Sequence, residues 1–267
     1  MHPAYPKKSG NFLKRIPLTN VFQHTLEYCQ KAKFPFIDSI KYSCHSVEFI
    51  DDKLLASVKP FSVPPKIIIE NIDSFDMAMK MHMQDINPLV LNLASNIKPG
   101  GGVHTGAKAQ EEDLFRKSNY AFVVDKSFYP LKMEEVVYSP RVYIIKDSSY
   151  NLLQHPVEVS CLAVAAIRNP RLVALPGGAK KYERNIDVKI MQSKIDMIFK
   201  VAIKHGHIDL VLGALGCGAF HNPTTEVAAM FKKSVESYGK YFRTIGFAIL
   251  SKHGDPNFDI FNRILMT

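Results

Sequence analysis

Apolar residues recur along the chain at two alternating periods, and each change of period marks an element. Between Thr19 and Lys33, Phe22, Leu26 and Cys29 fall three or four positions apart, the spacing of one helix face. Ser46 to Ile50 reads as a short strand, and Ser62-Val63-Pro64-Pro65 as a turn or extended link. Lys66 to Glu70 is rich in isoleucine and predicts a strand. Ser74 then stands where it can cap a helix reaching about Met83, with Phe75, Met79 and Met83 at helical spacing. Pro88 to Ala94 is a continuous apolar run broken only by Asn92, as expected of a buried strand.

Beyond a glycine loop, Gln110 begins the next predicted helix. Strands follow at Arg141 to Ile145 and Val157 to Ala166. A long helix is expected from Asn185 to His205, with Ile190, Ile195, Ile198 and Ala202 among its apolar positions. His207 to Leu212 and Thr244 to Leu250 read as strands; between them Asn222-Pro223-Thr224 starts a helix, and a short helix closes the chain. No internal repeat is visible. Strands separated by helices predict an α/β layered fold with helices on both faces of a mixed, largely parallel sheet. In such sheets ligands bind beyond the carboxyl ends of strands. Two glycine loops occupy such ends, residues 99–106 and 213–220, so they are expected to face one cleft.

Composition narrows the class. Of 267 residues 46% are apolar and 22% charged, which suits a soluble globular protein of one large domain. The less regular residues 1–60 are expected to form an accessory segment, and 61–267 the main domain. The longest apolar stretch, near Leu210 to Phe220, is too short to span a bilayer, and no secretory apolar segment opens the chain. A soluble, cytoplasmic monomer is the expectation. Lys and Arg exceed Asp and Glu by 34 to 25, giving +9, which favours an acidic partner or substrate. Lys7, Lys8, Lys14 and Arg15 precede the first acid, Glu27, but three prolines by Pro17 oppose an amphipathic transit helix. Cys29, Cys44, Cys161 and Cys217 fit no zinc or redox pair, and Cys161 reads as a small core residue. His104, His155, His205, His207 and His221 lack metal-ligand spacing. Neither metal nor cofactor is expected.

Candidate chemistry gathers in the two loops. Gly100, Gly101 and Gly102 leave backbone N–H groups uncovered, as a phosphate cradle requires, although a flexible turn has the same composition. In the second loop Gly216 and Gly218 flank Cys217, and the run enters a helix whose N-terminus favours an anion. Neither GxGxxG, where His221 occupies the third glycine position, nor GxxxxGK[ST] is present. Glu111, Glu112 and Asp113 stand together at a predicted helix start; their mutual repulsion is expected to raise at least one pKa, as a general acid needs. Consecutive helical side chains diverge by about 100°, so only one of Glu111 and Glu112 aims fully at a given bond. Phe220 is either a core aromatic or a ring packed on a ribose or base.

These residues resemble a known family. Leu91-Asn92-Leu93-Ala94-Ser95, Pro99 to Gly102 and Gly106 to Asp113 are similar to the microbial type of poly(ADP-ribose) glycohydrolase, a branch of the macrodomain superfamily. Its hallmark is a triple glycine followed by Gln-Glu-Glu, here Gln110-Glu111-Glu112. Leu114 to Ser118, Tyr138-Ser139-Pro140 with Val142 to Asp147, and the loop from Gly213 to Phe220 continue the likeness in order, over roughly residues 66 to 250.

The resemblance implies a three-layer α/β/α macrodomain that binds ADP-ribose. It implies that Gly100, Gly101 and Gly102, with Val103 and Gln110, line the diphosphate and distal ribose. Gly213, Gly216, Cys217, Gly218 and Ala219 would close from the other side, with Phe220 near the distal ribose and Ser95 and Asn96 at ribose contacts. Glu112 matches the catalytic glutamate and Glu111 its substrate-orienting neighbour. Ser95-Asn96, Leu215 and Ala219 depart from common relatives, the last two towards a roomier cleft floor. The implied activity is metal-independent hydrolysis of the glycosidic bond at the distal ribose, releasing ADP-ribose from poly(ADP-ribose) or from mono-ADP-ribosylated protein, arginine-linked included. A reader that binds ADP-ribose without hydrolysing it is the alternative. No RNA or DNA motif supports nucleic-acid binding.

Overall fold

The structure is a computed structural model that describes residues 17–35, 37–44, 52–251 and 254–267. The strand expected at Ser46 to Ile50 and the basic residues Lys7, Lys8, Lys14 and Arg15 lie outside the described residues. In chain order the elements are α1 (Leu18–Ala32), β1 (Ile40–Ser43), α2 (Asp52–Ser57), β2 (Lys66–Glu70), α3 (Ser74–His82), β3 (Leu89–Leu93), α4 (Gln110–Lys117) and α5 (Tyr120–Val123). They continue with β4 (Glu135–Lys146), β5 (Leu152–Val164), β6 (Leu172–Ala174), β7 (Lys180–Tyr182), α6 (Asn185–Lys204), β8 (Asp209–Leu212), α7 (Thr224–Tyr238), β9 (Thr244–Ala248) and α8 (Asn257–Leu265).

Seven strands form one sheet in the order β1-β4-β5-β3-β8-β9-β2. The run from β5 to β2 is parallel throughout, while β4 pairs antiparallel with both β5 and β1. The sheet is therefore mixed and largely parallel, as expected. Successive residues of a strand point to opposite faces. In β3, Leu89 and Leu91 join the core shared with α6 and α7, whereas Val90 joins the core shared with α3 and α4. Both faces are covered, which explains why the strand reads as a continuous apolar run rather than an alternation.

Three readings need correction. Asp73, not Ser74, caps α3: its carboxylate accepts the N–H groups of Phe75 and Asp76. The buried face of α3 is Phe75, Met77, Ala78 and Met81, while Met83 lies beyond the helix and is exposed. β4 starts at Glu135, earlier than Arg141, because Pro140 sits in an irregular pairing between Ser139 and Val142 instead of ending the strand. β1 is the sheet's edge strand, and α1 docks on α4 through Phe22 and through the Thr25 hydroxyl, which donates to the Arg116 carbonyl. Buried Lys146 ties down the same helix, donating to the Val21 carbonyl (2.9 Å) and Thr25 Oγ1 (2.7 Å).

Candidate active site

The site is organised by the junction of β3 and α4. Gln110 opens α4 and bonds the adjacent strand on both sides: its Oε1 accepts the Leu93 N–H (2.9 Å), and its Nε2 donates to the Leu91 carbonyl (2.8 Å) and Ser74 Oγ (3.0 Å). Buried backbone groups at the strand end are thereby satisfied, and the helix start is fixed. Glu111 turns under the strand. Its Oε2 accepts the Ser95 N–H (2.7 Å) and its Oε1 the Asn92 amide (3.3 Å). Burial pushes the Glu111 carboxyl up to about 8, against the pull of donors from Ser95, Asn92 and Gly100. The charge of Glu112 adds the smallest contribution, so a raised acid is present but burial rather than like-charge crowding is its main cause. Asp113 is committed elsewhere, to the Lys117 ammonium (2.7 Å) and the Tyr150 hydroxyl (2.6 Å).

Glu112 is held differently. Its Oε1 accepts the Gly102 N–H at 2.8 Å, while its Oε2 is buried with no hydrogen-bond partner among the described residues. The triple glycine makes room for this carboxylate. Gly101 has φ +47°, and a Cβ there would lie 2.5 Å from Glu112 Oε1; Gly100 has φ +74° and is pressed against the Phe115 ring. A side chain at either position would take a strained backbone conformation and force the neighbouring side chain to move.

The second loop leaves β8 and is braced from behind by Asn222. The Asn222 amide donates to the carbonyls of Ile167 (2.7 Å) and Gly216 (3.1 Å), and its Oδ1 accepts the Tyr182 hydroxyl (2.8 Å). Between the start of α4 and the second loop runs a crevice of about 1480 Å³ at the carboxyl ends of β3, β5 and β8; the first glycine loop, expected to face it, does not border it. Of the residues singled out from sequence, Ser95, Gln110, Glu111, Glu112, Gly216, Gly218, Ala219 and Phe220 border it. Asn96, Gly100, Gly101, Gly102, Val103, Gly213 and Cys217 do not. Val103 is buried in the core, Gly213 lies against the Ala248 carbonyl, and the Asn96 carbonyl accepts the Leu131 N–H. The Cys217 thiol faces inward to the Leu215 carbonyl, and burial pushes it up to about 12, which removes it as a nucleophile.

Several contributors escaped the sequence reading. Ala166, just beyond β5, borders the crevice, as do Asn71, Leu250 and Asn257. Asn92 and Asn222 are buried amides that hold the two walls; the one signal for Asn92 was a polar residue inside an apolar run. Among the described residues no group of three or more His, Cys, Asp or Glu is placed to hold a metal ion, and no helix is long and apolar enough to cross a membrane.

Comparison with known proteins agrees with this architecture. The family model for the microbial-type PARG catalytic domain matches residues 23–147, which bears out the resemblance carried by the first glycine loop and the Gln-Glu-Glu run. No curated protein sequence matches the chain. Among solved structures, the poly(ADP-ribose) glycohydrolase of Thermomonospora curvata is 23% identical with a TM-score of 0.73, covering 92% of this chain and 98% of its own. A mutant poly(ADP-ribose) glycohydrolase of Deinococcus radiodurans in complex with ADP-ribose is 25% identical with a TM-score of 0.73, covering 94% and 98%. The Thermomonospora curvata enzyme bound to the inhibitor ADP-HPD is 22% identical with a TM-score of 0.70, covering 92% and 98%. The macrodomain-like α/β/α fold is thereby shown.

Proposed function

We propose that this chain is an ADP-ribosyl glycohydrolase that cleaves the bond at C1 of the distal ribose and releases ADP-ribose, with Glu112 as the acid. The observation that carries the reading is the asymmetric Glu112 carboxylate. One oxygen is fixed by the Gly102 N–H, the other is buried without a partner among the described residues, and the residue borders the crevice. A positioned carboxyl with one free oxygen suits proton transfer at a bond that breaks through an oxocarbenium-like state. Oε2 gives its proton to the departing ribose oxygen as the C1–O bond opens. Water then bonds to C1 and returns a proton to the same oxygen, which restores the acid. Gly216 and Gly218 on the opposite wall take the diphosphate, and Phe220 packs on the distal ribose.

Poly(ADP-ribose) is the substrate we favour. The expectation of an arginine linkage rests on three acids acting together on a guanidinium. Asp113 is bonded to Lys117 and Tyr150, and Glu111 is turned under β3, so Glu112 is the acid left to face a leaving group. That arrangement suits a neutral ribose oxygen better than a cation.

The test is release of free ADP-ribose from poly(ADP-ribose) and from protein modified on serine, glutamate or arginine. The parent chain is expected to act on the polymer. Glu112→Gln is expected to keep ADP-ribose affinity by calorimetry and to lose about 10²–10⁴-fold in rate. Equal activity of Glu112→Gln ends the assignment. ADP-ribose binding with no release by either chain establishes the reader instead.

A further inference from the structure

The crevice engages the second glycine loop and the acid that the first one holds, but gives no role to the β6–β7 hairpin, which turns through Pro176-Gly177-Gly178. Residues 168–184 carry five cations, Arg168, Arg171, Lys180, Lys181 and Arg184, against one acid, Glu183. Arg184 is paired with Asp187 at 2.7 Å. The other four are exposed and have no carboxylate partner among the described residues. Like charges so concentrated repel one another. At the tip, Gly177 and Gly178 both have φ +82°, with no atom near enough to touch an added Cβ.

The root of the hairpin, by contrast, is fastened to the crevice rim. The Asn169 N–H donates to the Phe220 carbonyl (3.0 Å), the Tyr182 hydroxyl to Asn222 Oδ1 (2.8 Å), and the Tyr182 N–H to Glu226 Oε2 (2.6 Å). Arg168 follows directly on Ile167, whose carbonyl accepts the Asn222 amide that also holds Gly216. A cationic ribbon is thus held at the edge of the second glycine loop and projects away from the protein.

We propose that the hairpin is a docking surface for the polymer beyond its terminal unit, holding the diphosphate of adjoining ADP-ribose. This rests on the hydrolase reading for the identity of the polymer. One ADP-ribose brings its two phosphates into the crevice and leaves the ribbon empty. A polymer carries a further diphosphate with every unit, and a cation cluster at the rim attracts that charge by the counterion physics that governs nucleic-acid binding.

The test uses the Glu112→Gln chain, so that polymer is not consumed, with Lys180→Ala/Lys181→Ala or Arg168→Ala/Arg171→Ala added. Binding to ADP-ribose and to long poly(ADP-ribose) is measured at low and high salt. Each pair is expected to weaken long-polymer binding about tenfold at low salt, with a shallower salt dependence and unchanged ADP-ribose affinity. Lys180→Arg/Lys181→Arg is expected to retain polymer binding. These ammonium and guanidinium heads are exposed and make no ion pair among the described residues, so an unchanged thermal midpoint checks that the variants are folded. Unchanged polymer affinity overturns the proposal. So does a parallel loss of ADP-ribose affinity, which makes the hairpin mere support for the loop, and so does equal competition by single-stranded RNA of the same charge, which makes it a generic polyanion surface. If the parent chain releases no ADP-ribose while both pairs still weaken polymer binding, the hydrolase reading fails and the docking surface stands.

Discussion

The two glycine loops have similar composition and opposite duties. In the first, the glycines are turned towards the protein's own helix: Gly100 lies against Phe115, and Gly101 and Gly102 lie against the Glu112 carboxylate. None of the three borders the crevice. In the second, Gly216 and Gly218 border it directly, and Gly218 has no atom close enough to meet an added Cβ. Gly216 combines both duties, since it has φ +74° and a Cβ there would collide with Ala166 and Asn222. The first loop therefore shapes the acid, and the second leaves room for the ligand. A glycine run announces close approach, but only packing tells whether the approaching body is a ligand or a neighbouring side chain.

The largest effect that tests this contrast is on stability, at Glu111 behind the first loop. Burial raises its carboxyl from 4.5 to about 8. Below about pH 4.5 folded and unfolded chains both hold the proton, and the contribution to stability is complete. As pH rises towards 8 the unfolded chain releases the proton while the folded one keeps it, so stability falls, by on the order of 3–5 kcal/mol across the window. Glu111→Gln has no proton to lose. Its amide oxygen can accept the Ser95 N–H, and its new N–H can donate to Asn92 Oδ1, which has no partner among the described residues. The variant is expected to gain stability relative to its parent steadily between pH 5 and 8 in denaturant titrations. His205 and His207, both lowered to about 4 chiefly by burial, slope the opposite way below about pH 6.5 in both chains and cancel in the difference. A pH-independent difference would mean that Glu111 is ionised and the cage around it is looser than it appears.

Next in size is Gly101→Ala. The new methyl meets Glu112 Oε1 in a backbone conformation that alanine resists. The carboxylate must move, and a displaced general acid is expected to lower kcat by about 10²-fold. Because Gly101 does not border the crevice, ADP-ribose affinity should hold. A matched loss of affinity and rate would place the first loop on the ligand after all and erase the contrast.

Much of this arrangement was legible because it follows from local rules. The strand at β2 and the helix starts at Gln110 and Asn185 appear where the apolar periods put them. That the second glycine loop opens on the crevice followed from strand order, whereas residues 99–106 do not border it and contribute through the Glu112 carboxylate they hold. What stayed hidden depends on partners distant in sequence. Gln110 is a backbone clamp only because β3 ends beside it with open N–H and carbonyl groups. Asp113 looks like part of an acidic trio until Lys117 and Tyr150 meet it. The β6–β7 hairpin was missed because three-residue strands with mostly exposed side chains carry no period to read. The crevice lining also brings Asn71 together with Leu250 and Asn257, which no local pattern connects.

Gly218→Ala has the smallest expected effect and isolates the second loop most cleanly. Gly218 is exposed, its φ lies outside the left-handed region, and an added Cβ meets nothing. The fold should accept alanine without loss, with a gain of about 0.4–1 kcal/mol if the unfolded chain is the more restricted by it. Any cost must then fall on the ligand. A methyl group on a wall meant for a diphosphate keeps the phosphate from the backbone N–H groups, and the loss of one such contact is worth about 1 kcal/mol, or roughly fivefold in ADP-ribose affinity. Rate at saturating substrate should hold, because Glu112 stands on the other wall. Calorimetry with ADP-ribose beside a thermal melt separates the two outcomes. A weaker ligand with an unchanged or raised midpoint confirms that glycine is required here for the ligand's sake; a lowered midpoint means that this loop, like the first, is packed against its own protein.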